Sequence, residues 1–484
     1  MGVVLKQSLN NTLVTYLGFG VGAINVLFLY TNFMSDEYYG LVNVVLSAAM
    51  VLMPVLAFGV PNSLIKFYSS FKDDRTTDGF LTLMLFLPVV LILPVAGLTF
   101  VAHEAIGNFL SKENPIVKEY IWPIFWIGMA MAYFEVFYAW ARVRMRSVFG
   151  NFMKEIFSRV GVTLLLFLLY FDLIFVEAFI PIAVGIYLLR TLIMAVYAFS
   201  IRRPRLVFDF PKNTRNILVY SALIILGGSA AIVLLEIDKV MINQFIEIEN
   251  VAYYSVAGFI AMVIAVPSRS MHQITYPLTA ELLNKRDKPA LAALYQRSSL
   301  TLYIVSGLLF MLILLNLDDL YKMLPEPYRS GFVIFVWLGL AKVYDALLGN
   351  NNSILYNSDY YRAILVMGFL LAVLTILFNL WLIPKYGLDG AAIASFAAFF
   401  IYNTIKLIYV KSKFGILPFT DETLKVSALL IGIGVIFYFL DFPFHPILNI
   451  ALKSILISAL YIGVIYRFKI SEDVFGVLTK ILRK

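Results

Sequence analysis

Residues Ala230–Phe245 read AAIVLLEIDKVMINQF, an apolar run that meets Glu236, Asp238 and Lys239 and turns apolar again at Val240. A charge at the centre of a membrane helix costs about 2.5–3.5 kcal/mol on insertion scales, so the solvent around this helix decides what the three charges mean. Composition identifies that solvent. Of 484 residues, 61% are hydrophobic and 14% charged, whereas soluble domains hold about 45–50% apolar and about 25% charged residues. The chain reads as an all-α integral membrane protein.

A span takes about 20 apolar residues. Hydropathy places spans near 12–33, 40–65, 80–102, 119–140, 155–176 and 178–200. A second set lies near 216–243, 251–280, 298–316, 330–349, 363–383, 388–410, 425–441 and 447–466, for about 14 transmembrane helices. The first apolar segment is longer than a signal-peptide core and has no small-x-small site after it, so it reads as a span. The formal charge of +8 does not point to nucleic acid, because the basic residues fall in alternate loops. One set holds Arg142, Arg144 and Arg146; Arg202, Arg203 and Arg205; Lys285, Arg286 and Lys288; Lys411 and Lys413; and a basic tail. The positive-inside rule then puts this set, and both termini, in the cytoplasm. With no cysteine and three scattered histidines, the sequence offers no disulfide and no metal or haem cofactor.

An internal duplication orders the spans. NTLVTY opens the first span and RNILVY the seventh; EYYGLVNVV opens the second and AYYSVAGFI the eighth. A proline, Pro61 or Pro277, follows each Tyr pair at a similar distance, and Glu135 in the fourth span is echoed by Asp345 in the tenth. The pattern predicts two six-helix lobes, residues 1–205 and 206–413, related by a parallel pseudo-two-fold repeat, with two further helices and a tail over 414–484. In transporters built this way the substrate site lies between the lobes near the midplane.

IDKVMINQF followed by VAYYSVAGFIA resembles the seventh- and eighth-span signature of bacterial polysaccharide (O-antigen type) flippases. These belong to the multidrug/oligosaccharidyl-lipid/polysaccharide exporter superfamily. SDEYYGLVNVV and YGLDGAAIASFAAFFIYNTIKLIYV are similar to the family's first-loop and twelfth-span patterns. The resemblance implies a flippase rather than an enzyme, moving undecaprenyl-pyrophosphate-linked oligosaccharide to the periplasmic leaflet of a bacterial inner membrane by alternating access. It implies a polyprenyl-pyrophosphate-linked glycan and membrane lipids as partners, with polysaccharide polymerase and chain-length regulators beside them. A drug/cation antiporter and a peptidoglycan-precursor flippase of the same superfamily stay open. A membrane polymerase or ligase is the alternative of another class, and no loop is long enough for its catalytic domain.

Polar residues inside the spans are the candidate site. Aligned on the Tyr pairs, Arg269 falls opposite Pro54, within an uninterrupted second-span run, and is expected well inside the membrane. Its planar fork of donors suits pyrophosphate. His272 lies one turn on, and Asn25, Asn32, Asn43 and Lys66 are further candidates for substrate contact, each with helix bridging as the plainer role. Gly18 with Gly22, and Gly227 with Gly228, suit close helix packing or bending. Lys342 stands i,i+3 from Asp345 and is its nearest sequence partner, whereas Arg190 has none locally. Glu236, Asp238 and Lys239 are expected as an outer-gate ion pair, and Glu236, Asp238 and Asp345 as candidates for coupling to a proton or sodium gradient.

Overall fold

The computed structural model describes residues 2–71, 73–228 and 230–476. It is all-helical among these residues. Among the described residues, ten helical stretches are long and apolar enough to cross a membrane. The difference from fourteen has local reasons. Arg362–Phe414 is one 53-residue stretch holding the two spans expected at 363–383 and 388–410. Others are short or charged, such as Ser158–Tyr170 with 13 residues and Asp421–Tyr438, which opens on Asp421 and Glu422.

The chain separates into two compact units, Met1–Ser255 and Val256–Lys484. In the first, α1 (Asn10–Phe33), α2 (Asp36–Leu56), α3 (Asp74–Val101), α4 (Pro115–Arg142), α5 (Ser158–Tyr170) and α6 (Val176–Ile201) follow in order. They are joined by α7 (Thr214–Gly228), α8 (Ala230–Phe245) and the start of α9 (Glu249–Met262). α4 is the buried centre, packing against both α2 and α6, with Phe134, Trp140 and Ala141 almost wholly enclosed. The second unit continues with α10 (Val266–Asn284), α11 (Lys288–Leu314), α12 (Glu326–Leu347), α13 (Asn351–Tyr356), α14 (Tyr361–Phe414), α15 (Asp421–Tyr438) and α16 (Pro446–Phe468).

Helix ends follow capping chemistry. Ser35 accepts from the Tyr38 amide at the start of α2, with Asp36 and Glu37 in the positive first turn. Asp287 accepts from the Ala290 amide at the start of α11. Thr420 and Thr423 form a reciprocal cap on α15.

Three interruptions depart from uniform spans. The run expected to continue from 40 to 65 breaks after Leu56, where Phe58 (φ 49°) and Gly59 (φ 64°) are left-handed, and a separate helix Val60–Phe67 follows. A Cβ on Gly59 would sit 2.3 Å from the Ser221 carbonyl oxygen, and the Ser63 and Ser221 hydroxyls lie 2.6 Å apart. Close docking on α7 therefore selects the break. Between α9 and α10 a 3-10 turn covers Val263–Ala265. Pro267 follows and cannot donate to the Val263 carbonyl; one residue on, the Ser306 hydroxyl donates to the Ile264 oxygen at 2.9 Å. In α14, Gly387 (φ 57°, ψ −131°) divides the helix, in a region of backbone space that is essentially glycine's alone.

Candidate functional site

The charges of the opening stretch are engaged within the first unit. Glu236 accepts from the Ser47 hydroxyl of α2 at 2.7 Å and from the Lys239 ammonium at 2.9 Å. Asp238, 3% exposed, accepts from the Tyr254 hydroxyl at 2.6 Å. Asp36 accepts from the Tyr253 hydroxyl at 3.0 Å, so both members of that Tyr pair hold a carboxylate. The end of α8 is tied to the segment before α4. Asn243 donates to the Leu110 oxygen at 2.8 Å, and Gln244 to the same oxygen at 3.2 Å. Asn114 donates to the Asn243 oxygen at 2.8 Å and accepts from the Ile248 amide at 3.0 Å. Gly40 admits the Ile248 carbonyl so closely that a Cβ would meet its oxygen at 2.1 Å. IDKVMINQF is thus a clasp of largely hydrogen-bonded polar groups, which lowers the cost of holding them in a low-dielectric interior, although the Asn243 Oδ1 has no partner among the described residues.

The other candidates of the first unit divide in two. Asn25 is buried and bridges helices: its amide donates to the Arg159 oxygen at 2.9 Å and accepts from the Thr163 hydroxyl at 2.8 Å. It also opens a π turn, Asn25–Leu29. Asn32 is exposed and donates back to the Phe28 oxygen at 2.8 Å; half-buried Asn43 does the same to Tyr39 at 2.9 Å. Lys66 is exposed, its ammonium 3.8 Å from the Tyr220 ring centre. Gly18 lies against the Glu155 backbone and Gly22 against the Arg159 side chain, so both serve close packing. The surroundings of Gly227 and Gly228 lie outside the described residues, as does the tail beyond 476.

A charged cluster lies beneath α1. Lys154 donates to Glu135 at 2.6 Å, and Arg159 pairs with Glu155 at 3.3 Å. Arg190, 6% exposed, sits with its guanidinium 4.2 Å from the Phe134 ring centre and 4.8 Å from that of Tyr187. Its Nε has no hydrogen-bond partner among the described residues. Aromatic faces stabilise a desolvated guanidinium, and the Glu135 and Glu155 charges act on it from further away.

In the second unit Arg269 lies in the span Glu249–His272, about 30 Å along the helix from Glu249 at 1.5 Å per residue. It is exposed and makes no ion pair or hydrogen bond among the described residues. His272 is half-buried, within electrostatic reach of Asp345 and Lys406. Asp345 pairs with Lys406 of α14 at 3.8 Å; the lysine side chain is 1% exposed and the aspartate 36%. The Lys406 ammonium donates to Asn352 at 2.9 Å and stands 4.4 Å from the Tyr402 ring centre. Lys342, the expected sequence neighbour of Asp345, instead lies over the Phe399 ring.

Residues 4–283, more than half of the chain, match the family described as polysaccharide biosynthesis protein. The chain belongs to that family. One relative of this chain, an uncharacterized membrane protein of Methanocaldococcus jannaschii, is 23% identical, with 94% of each chain covered. Among solved structures, the lipid II flippase MurJ in an inward closed conformation matches with TM-score 0.74 and 13% identity, covering 95% of this chain and 99% of that one. An inward-facing multidrug resistance MATE transporter of the MOP superfamily matches with TM-score 0.63 and 13% identity, over 84% and 94%. A MOP superfamily transporter from Pyrococcus furiosus, described as having a binding pocket of reversed polarity, matches with TM-score 0.50 and 13% identity, over 87% and 94%. The fold is the one these proteins share.

Within this family member, two features escaped the sequence reading. Lys406 lies inside the expected 388–410 span, where any charge marks a candidate, and it is absent from the candidate residues drawn from the sequence. Ser47, Asn114 and Asn352 carry no sequence signal, since their importance comes from the chain that packs on them.

Proposed function

We propose that this protein is a flippase that moves a polyprenyl-pyrophosphate-linked oligosaccharide across the membrane by alternating access, with the residue 1–205 and 206–413 lobes as its repeating pieces. Undecaprenyl is the carrier the family resemblance implies, and the cytoplasmic membrane, with both termini inside, is the location the basic loops imply. Arg269 carries the reading. A cation inside an apolar span is costly unless it has a partner, and this one spends no donor on a protein acid among the described residues. A guanidinium with free donors matches a pyrophosphate by paired, charge-assisted hydrogen bonds. Two buried cations, Arg190 in the first unit and Lys406 in the second, add positive potential within their own units. A drug/cation antiporter would favour an acidic centre instead.

Moving a pyrophosphate outward is assisted by an interior-negative potential, at about 2.3 kcal/mol per charge per 100 mV. Coupling to a proton or sodium ion is part of the proposal, with the ion taken by an acid on the carrier. Asp345, partly exposed and only loosely held by Lys406, is the acid best placed to take one. Glu236 and Asp238 are already committed to Lys239, Ser47 and Tyr254.

The test is reconstitution in proteoliposomes with a fluorescent polyprenyl-pyrophosphate oligosaccharide. Arg269→Ala is expected to lower the flipping rate by about tenfold or more, the loss of a charge-assisted contact, and Arg269→Lys to restore part of it. An unchanged rate in Arg269→Ala removes the site. A wild-type protein that exports cationic drugs and leaves the lipid-linked glycan in place removes the function.

A further inference from the structure

The second unit has a cavity of about 390 Å³, beside Lys285, Arg286, Lys288, Lys411 and Lys413, the basic loops the sequence places on the cytoplasmic side. It is enclosed by the end of α10, the start of α11, the Asn357–Tyr360 turn and the end of α14. Its floor is apolar: Leu282, Leu283, Leu291 and Phe414 belong to a packed cluster around Tyr295 and Ile354. Its rim holds three cations, Arg286, Lys288 and Lys413, with the hydrogen-bonding groups of Asn284, Asn357 and Ser358.

Two acids also line it, and they do not cancel the rim. Asp287 accepts from the Ala290 amide at 3.0 Å, which turns that carboxylate oxygen to the α11 start, and with Asp359 it leaves the lining positive on balance, three cations against two acids. Lys285 stands outside the set because Glu281 holds it at 2.5 Å. The rim is fixed by backbone. Arg286 takes a left-handed turn (φ 56°) between α10 and α11, and the Lys413 ammonium lies 5.4 Å from the Tyr360 ring centre and 5.8 Å from that of Tyr409.

We propose that this cavity binds a phosphate-bearing ligand through Arg286, Lys288 and Lys413, separately from transport cargo. Cationic pockets between helices at a membrane surface recognise phosphate headgroups. Here the apolar floor beneath the cations offers a place for the first carbons beside the phosphate, so the cavity suits an amphiphile. A lipid headgroup and a free phosphate share the anionic chemistry, and the experiment separates them.

The full-length protein in detergent is titrated with short-chain phosphatidylglycerol, short-chain phosphatidylcholine and inorganic phosphate, with binding read by calorimetry. Saturable binding of phosphatidylglycerol is expected, with Arg286→Gln, Lys288→Gln and Lys413→Gln each weakening it about fivefold, the equivalent of about 1 kcal/mol per cation near a surface. Asp359→Asn is expected to tighten it, which keeps a readout should a combined triple variant fail to fold. Inorganic phosphate binding as strongly as phosphatidylglycerol, and weakened by the same variants, assigns the site to soluble phosphates. Equal binding of phosphatidylcholine, indifference to all four variants, or no binding of either anion overturns the proposal. None of these residues is Arg269 or Asp345, so this outcome is independent of the flipping assay.

Discussion

At the scale of the residue, the membrane interior sorts charges by whether their partners are present. Asp238 has Tyr254 at 2.6 Å and is buried, so Tyr254→Phe removes a hydrogen bond from a buried carboxylate. That change is expected to destabilise the protein by about 1–3 kcal/mol, read as a lower unfolding temperature in detergent, whereas Tyr253→Phe, whose partner Asp36 is less enclosed, costs less. Lys406 presents the reverse arrangement, a sealed cation beside a half-open acid. Replacing it with Met removes an ammonium whose burial is expensive and keeps the volume, so stability is expected to hold or rise while Asp345 loses its countercharge. If Asp345 takes the coupling ion, the flipping rate of Lys406→Met shifts its pH or sodium dependence. A rate that keeps the wild-type dependence on both argues against that acid.

At the scale of the element, glycine and proline set where helices stop being uniform. Gly387 holds α14 in a conformation an L side chain resists, and no neighbouring atom lies within 4 Å of an added Cβ. Gly387→Ala therefore probes backbone strain without a clash, with an expected cost of about 1–3 kcal/mol. Gly40→Ala is a steric test, because its Cβ would meet the Ile248 oxygen at 2.1 Å. It is expected to loosen the contact between α2 and the turn before α9 and to cost more than Gly20→Ala, where nothing stands within 4 Å. Both comparisons are read from unfolding temperatures in one detergent. The break at Phe58–Gly59 belongs to this scale too. Hydropathy sees only a continuous apolar run there, and the stop is imposed by the Ser221 backbone arriving from α7.

At the scale of the whole molecule, the absence of cysteine makes topology directly measurable. Single cysteines at Arg146 and Arg203, in the basic loops, are expected to resist a membrane-impermeant maleimide in intact cells, and one at Glu113 to react; the opposite pattern reverses the orientation. Composition and hydropathy alone determined that this is an all-helical membrane protein, because the cost of unpaired backbone in lipid leaves helices as the economical way to bury so apolar a chain. The motifs IDKVMINQF and AYYSVAGFIA pointed to the family, and the inventory of intramembrane charges was legible with them. What each charge does was decided only by tertiary structure. Glu236 finds Ser47, Asp345 finds Lys406 rather than Lys342, and Arg269 finds no acid among the described residues. Sequence fixes how much a buried charge costs, whereas packing between helices far apart in the chain determines whether a partner stands within hydrogen-bond reach to offset it.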